Sequence, residues 1–229
     1  MLVYGKNTCL EYLQRGKVKR VYLQENFSNE KILGLINQKY QVVDKFTLDK
    51  MCDGVHQGIA IEVEDFKYSD IYDVLEKEVC TLVMLDHLED PHNLGAIIRT
   101  SEAFGIDGVV IPKDRSALVN ATVIKTSVGT VLNVPIYQVT NLVDTINLLK
   151  KNGFWIIGTD MNGVDYKKVD YKGKSVIVIG NEGKGISHLV ERNCDVIASI
   201  PMYGNVNSLN ASVAAGVVLC EASRQNHDN

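Results

Sequence analysis

Six short apolar runs constrain this chain more than any other feature. They are Thr81–Leu85, Gly108–Ile111, Val134–Tyr137, Phe154–Gly158, Ser175–Gly180 and Val196–Ile200, and their starts lie about 20–27 residues apart. Runs this short and this continuous suit strands buried on both faces of a parallel sheet, with helical segments between them as crossovers. Val143–Leu149 shows helical periodicity, and Asn152-Gly153 supplies its stop signal. The last helix, Leu209 to about Arg224, is rich in Ala and Gly, which predicts a closely approaching backbone. The pattern predicts an α/β fold with a mostly parallel sheet, free of internal repeats.

The chain before Thr81 has a different character. Tyr4-Gly5-Lys6-Asn7 leads into a helical stretch with Cys9, Leu10 and Leu13 on one side. Val18–Leu23, Gln41–Val43 and Gly58–Val63 read as strands, and Glu30–Gln38 as a helix. The charged stretch Glu64–Glu78 carries no strong core pattern. The expected organisation is a small N-terminal α/β domain over 1–65, a linker over 66–79 and a larger domain over 80–229.

With 229 residues, 45% of them hydrophobic, the chain has enough apolar surface for a real core, which excludes wholesale disorder. The longest apolar run, Ala211–Cys220, is about half of what a bilayer span needs, and no apolar signal region follows Met1–Lys6, so a cytoplasmic protein without membrane contact is expected. The five cysteines are odd in number and form no CxxC pair, and the histidines form no HExxH, so reduced thiols and no metal are expected. His87 and His92 flank a Glu-Asp-Pro turn and read as surface or turn residues.

A net charge of −4 argues against non-specific coating of nucleic acid. The balance is uneven, however: residues 1–70 are neutral overall and residues 71–229 carry the whole −4. The densest basic cluster, Arg15-Gly16-Lys17-Val18-Lys19-Arg20, reads as a solvated loop or an RNA contact.

Three stretches of the larger domain hold more polar and Gly residues than a plain sheet needs. Asn93-Leu94-Gly95-Ala96-Ile97-Ile98-Arg99-Thr100 follows the first strand and opens a helix, with Arg99 beside its apolar stripe. The fixed charge and donor fork of an arginine there suit a surface cap or a phosphate. Val178-Ile179-Gly180-Asn181-Glu182-Gly183-Lys184-Gly185-Ile186-Ser187 ends a buried strand in a glycine-rich turn, which lets backbone groups approach a ligand. It is neither GxGxxG nor a P-loop, which excludes a nucleoside-triphosphate site and removes the phosphate fingerprint a dinucleotide oxidoreductase needs. Ile200-Pro201-Met202-Tyr203-Gly204-Asn205-Val206-Asn207-Ser208-Leu209-Asn210-Ala211-Ser212 precedes the last helix. Asn207 or Ser208 would cap that helix, but capping does not account for the whole string.

In this order and spacing, the three stretches resemble the signature motifs of the SpoU (TrmH-like) RNA 2′-O-ribose methyltransferases of the SPOUT class, over about Thr81–Arg224. Tyr4-Gly5-Lys6-Asn7 and Val55-His56-Gln57-Gly58 resemble the L30e-like substrate-binding domain of the ribosomal RNA branch, closest to the RlmB-like 23S guanosine enzymes. Asn207 departs from the acidic or small residue of many relatives. The resemblance implies a C-terminal SPOUT α/β-knot (a deep trefoil knot) that binds S-adenosyl-L-methionine, with Thr159, Gly180, Ile200 and Leu209 at the cofactor. It further implies a homodimer, and it assigns Asn93, Arg99, Glu182, Ser208 and Asn210 to catalysis.

The reaction so implied is attack of a ribose 2′-hydroxyl on the sulfonium methyl. A guanidinium rarely loses its proton, so Arg99 is read as holding phosphate and alkoxide, with the base unassigned. The expected substrate is a guanosine of 23S ribosomal RNA. The alternatives are transfer RNA as substrate, or a silent RNA-binding assembly factor, against which intact Arg99, Glu182 and Asn210 argue.

Overall fold

The computed structural model describes residues 1–206 and 208–227. They divide into two compact units, Met1–Lys67 with Val119–Asn133, and Tyr68–Leu118 with the chain from Val134 onward. The boundary falls inside the expected linker, but that stretch is not featureless. Ser69 bridges to Tyr137, and Ile71–Val74 forms a 3-10 turn whose Val74 is fully buried in the core of the second unit. The segment 119–133 was expected with the larger domain and instead belongs to the first unit.

The first unit holds β1 (Leu2–Tyr4), α1 (Lys6–Arg15), β2 (Val18–Gln24), α2 (Glu30–Leu33), β3 (Gln41–Val43), α3 (Lys45–Met51) and β4 (Ile59–Val63). The sheet order is β1-β4-β2-β3, with β3 parallel to β2 and the other pairs antiparallel. α3 packs on the face that carries Tyr4, Tyr22, Val43 and Ala60. α1 buries Cys9 and Tyr12, while Leu10 and Leu13 lie only half-buried, so the expected face is rotated. α2 stops at Leu33, short of the expected Gln38, and past Gly34 the chain continues in i→i+3 turns to Ile36.

The second unit is built on β5 (Cys80–Leu85), α4 (Pro91–Ala103) and β6 (Gly108–Pro112). The chain then passes through α5 (Ala121–Thr126), which lies in the first unit, and returns as β7 (Ile136–Val139) and α6 (Leu142–Lys151). It ends with β8 (Trp155–Asp165), β9 (Lys174–Ile179), α7 (His188–Glu191), β10 (Val196–Ser199) and α8 (Ala211–His227). All six strands are parallel, in the order β10-β8-β9-β5-β6-β7. Every residue of β5 and β6 is buried, as continuous apolar runs in a sheet covered on both faces require.

One connection departs from a repeating βα plan. No helix separates β8 from β9: β8 runs on past its expected end at Gly158 to Asp165 and continues into the 3-10 turn Tyr166–Lys168. The α6 stop does form as expected, with Asn152 as cap and Gly153 left-handed at φ 85°. α8 packs against α4 and β9 through Ala211, Ala215, Val218, Leu219 and Ala222. The expected tight approach is absent at Gly216, where a Cβ would meet only Thr100 Cγ2 at 3.9 Å.

Candidate active site

The sheet creates the site at the carboxyl ends of β5, β8, β9 and β10, where the strand order doubles back and ligands of open parallel sheets bind. A register jump between β8 and β10 opens one wall. Ile197 pairs with Gly158, yet the next residue, Ala198, pairs with Val164. Thr159–Gly163 is therefore thrown out of the ladder. The excursion is pinched shut at its far end by Gly163, where a Cβ would sit 2.4 Å from the Ile197 carbonyl oxygen.

The loop after β9 forms the facing wall. A pair of backbone bonds of 2.8 and 3.0 Å between Asn181 and Gly185 closes it. Gly180 is obligatory here, since a Cβ would lie 2.2 Å from the Gly185 carbonyl carbon. β5 pins the loop from below: Asp86, 1% exposed, accepts the Ser187 backbone N–H at 2.6 Å, and its other oxygen lies 2.6 Å from His87 Nδ1. His87 adopts φ 55°, and its carbonyl accepts from Asn181 Nδ2 at 2.9 Å. The turn role expected of His87 is thus a specific one, holding the glycine loop against the end of β5.

Between these walls lies a cavity of about 480 Å³. Backbone of the loop, the excursion residues Thr159 to Asn162, and the small or apolar side chains of Ala198, Ile200, Leu209 and Ala214 line it. Its lining suits a flat apolar body with a polar tail. Thr159, Gly180, Ile200 and Leu209 all border it, as do Glu182 and Ser208. The Thr159 hydroxyl donates to the Val178 carbonyl at 2.8 Å, so it ties β8 to β9.

Beside the cavity, three side chains from distant parts of the chain meet. Glu182 Oε1 accepts from Asn93 Nδ2 and from Asn210 Nδ2, each at 2.6 Å, and Asn210 Nδ2 also donates to Asn93 Oδ1 at 3.0 Å. Asn93 is buried on the first turn of α4, which Asp90 caps and Pro91 opens. Asn210 caps α8: its Oδ1 accepts the Ser212 and Val213 N–H groups at 3.0 and 3.3 Å. With that oxygen committed to backbone donors, only the amide nitrogen can face the carboxylate. The cap expected at Asn207 or Ser208 is thus Asn210, because it alone stands directly before the helix; Asn207 lies outside the described residues.

Arg99 is not part of this cluster. It is exposed and, among the described residues, has no hydrogen-bond or ion-pair partner. Helix geometry puts it roughly 9 Å along α4 and ~120° around from Asn93. Asp86, Asp160 and Asn181 are site residues that motif reading missed. The apolar run ending at Leu85 gave a signal for the first, since a carboxylate directly after a buried strand needs partners.

Comparison with known proteins gives the family. Residues 81–220 fit the SpoU rRNA Methylase family, and residues 2–69 fit the family described as RNA 2′-O ribose methyltransferase substrate binding. The chain belongs to the SpoU methylase family. It is therefore an RNA methyltransferase of the TrmH/SpoU kind. A Staphylococcus aureus protein, named for the TrmH family of tRNA/rRNA methyltransferases, is 42% identical over 99% of this chain and 97% of its own length. Among solved structures, the SpoU methyltransferase AviRb of Streptomyces viridochromogenes, in complex with AdoMet, has a TM-score of 0.85 at 25% identity, covering 98% of this chain and 90% of that one. An AdoMet-bound rRNA methyltransferase from Sinorhizobium meliloti gives 0.82 at 26% identity over 97% and 86%. The TrmH/SpoU tRNA modifying enzyme of A. aeolicus gives 0.58 at 35% identity over 67% and 79%.

Proposed function

We propose that this SpoU-family methylase transfers a methyl group from S-adenosyl-L-methionine to the ribose 2′-hydroxyl of a guanosine in 23S ribosomal RNA. The observation that carries the reading is a carboxylate, Glu182, fixed by two amides at the edge of a cavity of cofactor size. A methyl donor needs a water-poor cradle, and its acceptor hydroxyl needs a positioned anion.

Thr159, Gly180, Ile200 and Leu209 hold the cofactor, largely through backbone, in a C-terminal segment threaded as the trefoil knot of the family. When bound, S-adenosyl-L-methionine supplies the electrophilic methyl and the thioether leaving group. Glu182 accepts the hydrogen bond of the attacking hydroxyl with its second oxygen, while Asn93 and Asn210 keep its first oxygen in place. Ser208 lies across the cavity and orients the ribose. Arg99 binds the adjacent phosphate and steadies the developing alkoxide.

Arg99 faces away from Asn93 on its own helix, and a homodimer resolves this: Arg99 of one copy completes the site of the other. The small first unit takes the RNA, with Lys17, Lys19 and Arg20 as phosphate contacts at a cytoplasmic ribosome precursor or its naked RNA. Two findings favour ribosomal over transfer RNA. The first unit fits the substrate-binding family, and the likeness to the tRNA enzyme leaves about a third of this chain uncovered.

Transfer of radiolabelled methyl to undermodified total RNA, followed by sizing, tests the reading. Label in 23S RNA, lost on nuclease digestion to all but one 2′-O-methylguanosine, is the expected result. Label in transfer RNA would overturn the substrate and keep the chemistry; cofactor binding without label would favour the assembly factor. RNA affinity should fall with salt at a modest slope, because few phosphates are neutralised.

A further inference from the structure

The excursion that opens the cavity carries a carboxylate with no role in the chemistry above. Asp160 lies in Thr159–Gly163, the segment displaced from the β8–β10 ladder, and it lines the cavity opposite the glycine loop. Its Oδ1 accepts the Asn162 backbone N–H at 3.0 Å, which sets the plane of the carboxylate. Its Oδ2 has no hydrogen-bond or ion-pair partner among the described residues. That oxygen lies 3.7 Å from the point where Gly185 would carry a Cβ. Gly185 also holds φ 66°, a conformation that disfavours a side chain there. The two walls thus leave a slot between a bare backbone and a carboxylate oxygen lacking a donor.

A carboxylate in such a slot calls for donors from the ligand, and the cofactor offers two kinds: the ribose hydroxyls and the amino-acid ammonium. Lys184, next to Gly185 in the chain, lines the same cavity. A second ammonium at that wall would meet like charge, whereas neutral hydroxyls would not, and hydroxyl donors to an ionised acceptor form the stronger class of hydrogen bond. The apolar lining of Ile200, Leu209 and Ala214 takes the base, and Glu182 marks the reacting end. The ribose is the part of the cofactor covalently placed between them. We infer that Asp160 binds the ribose hydroxyls of the cofactor and selects for an intact adenosine.

The inference rests on the function proposed above, and calorimetry on the full chain separates the two. The probes are S-adenosylhomocysteine, its 2′,3′-dideoxy analogue and its des-amino analogue, each titrated into the wild type and Asp160→Ala. In the wild type, removing the hydroxyls should weaken binding by about 30-fold. Asp160→Ala should lose about the same factor for S-adenosylhomocysteine and nothing further for the dideoxy compound, because each change removes the same bond. Equal losses for both ligands, or no loss at all, would overturn the assignment. A coupling found only with the des-amino compound would put the carboxylate on the ammonium and overturn it as well. If Asp160→Ala fails to fold, Asp160→Asn keeps the acceptor for Asn162 and should show the same coupling at about 5-fold. A wild type that binds none of the three probes would overturn the cofactor reading itself.

Discussion

Two turns of this protein use the same devices for different ends. In the first unit the turn Asp53–Gly58 is pinned from all sides. The Tyr4 hydroxyl donates to the Asp53 carbonyl, and Lys6 N–H donates to Gln57 Oε1 at 2.8 Å. His56, 5% exposed, accepts the Gly58 N–H on Nδ1 at 2.9 Å, which leaves the proton on Nε2 to meet Asp49 at 3.0 Å. In the second unit the Gly180–Ser187 loop is pinned as firmly, by Asp86, His87 and its own Asn181–Gly185 bridge. The difference lies in what faces outward. The first turn closes on itself and its polar groups satisfy each other. The second holds one carboxylate, Glu182, by two amides at the edge of a cavity. Pinning alone therefore does not mark a site; an anchored charge beside open space does.

The comparison can be broken most forcefully at Gly180. Gly180→Ala drives a methyl into the Gly185 backbone, and a melt should show about 1–3 kcal/mol lost, with cofactor affinity down by about 100-fold or more. Next comes Glu182→Gln, which keeps an acceptor for both amides and removes the charge. Turnover should fall about 100-fold while the cofactor dissociation constant stays within about threefold. A variant that turns over normally would reduce the second turn to the status of the first.

Mixing inactive Arg99→Ala and Glu182→Gln proteins sharpens the reading of Arg99. If the two residues meet only across a dimer, random exchange should restore about a quarter of wild-type sites, and none if they act within one chain. In the first unit, His56→Ala should cost about 1–3 kcal/mol in a denaturant titration with the calorimetric cofactor constant unchanged. Smallest of all is Gly183→Ala, whose Cβ would find only Asn181 Oδ1 at 3.7 Å. Its melting temperature should match the wild type within error.

Much of the second unit was legible because buried parallel strands must be continuous apolar runs, and all six appear within two residues of their expected starts. The motif residues were legible through the family resemblance; the local capping rule by itself pointed to Asn207 or Ser208, where Asn210 holds the start of α8. Less legible were features set by distant partners. The α5 segment lies among strands of the larger unit in sequence, yet its partners are in the smaller one.

The sequence by itself determined the strand set and the glycines that bare the backbone, since each follows from a local period or a local conformational demand. Only the tertiary structure decided that Asn93, Glu182 and Asn210 share one carboxylate oxygen, because they stand as many as 117 residues apart. It also decided that residues 159–163 leave the ladder, because a register jump is a property of two strands together and is written in neither alone.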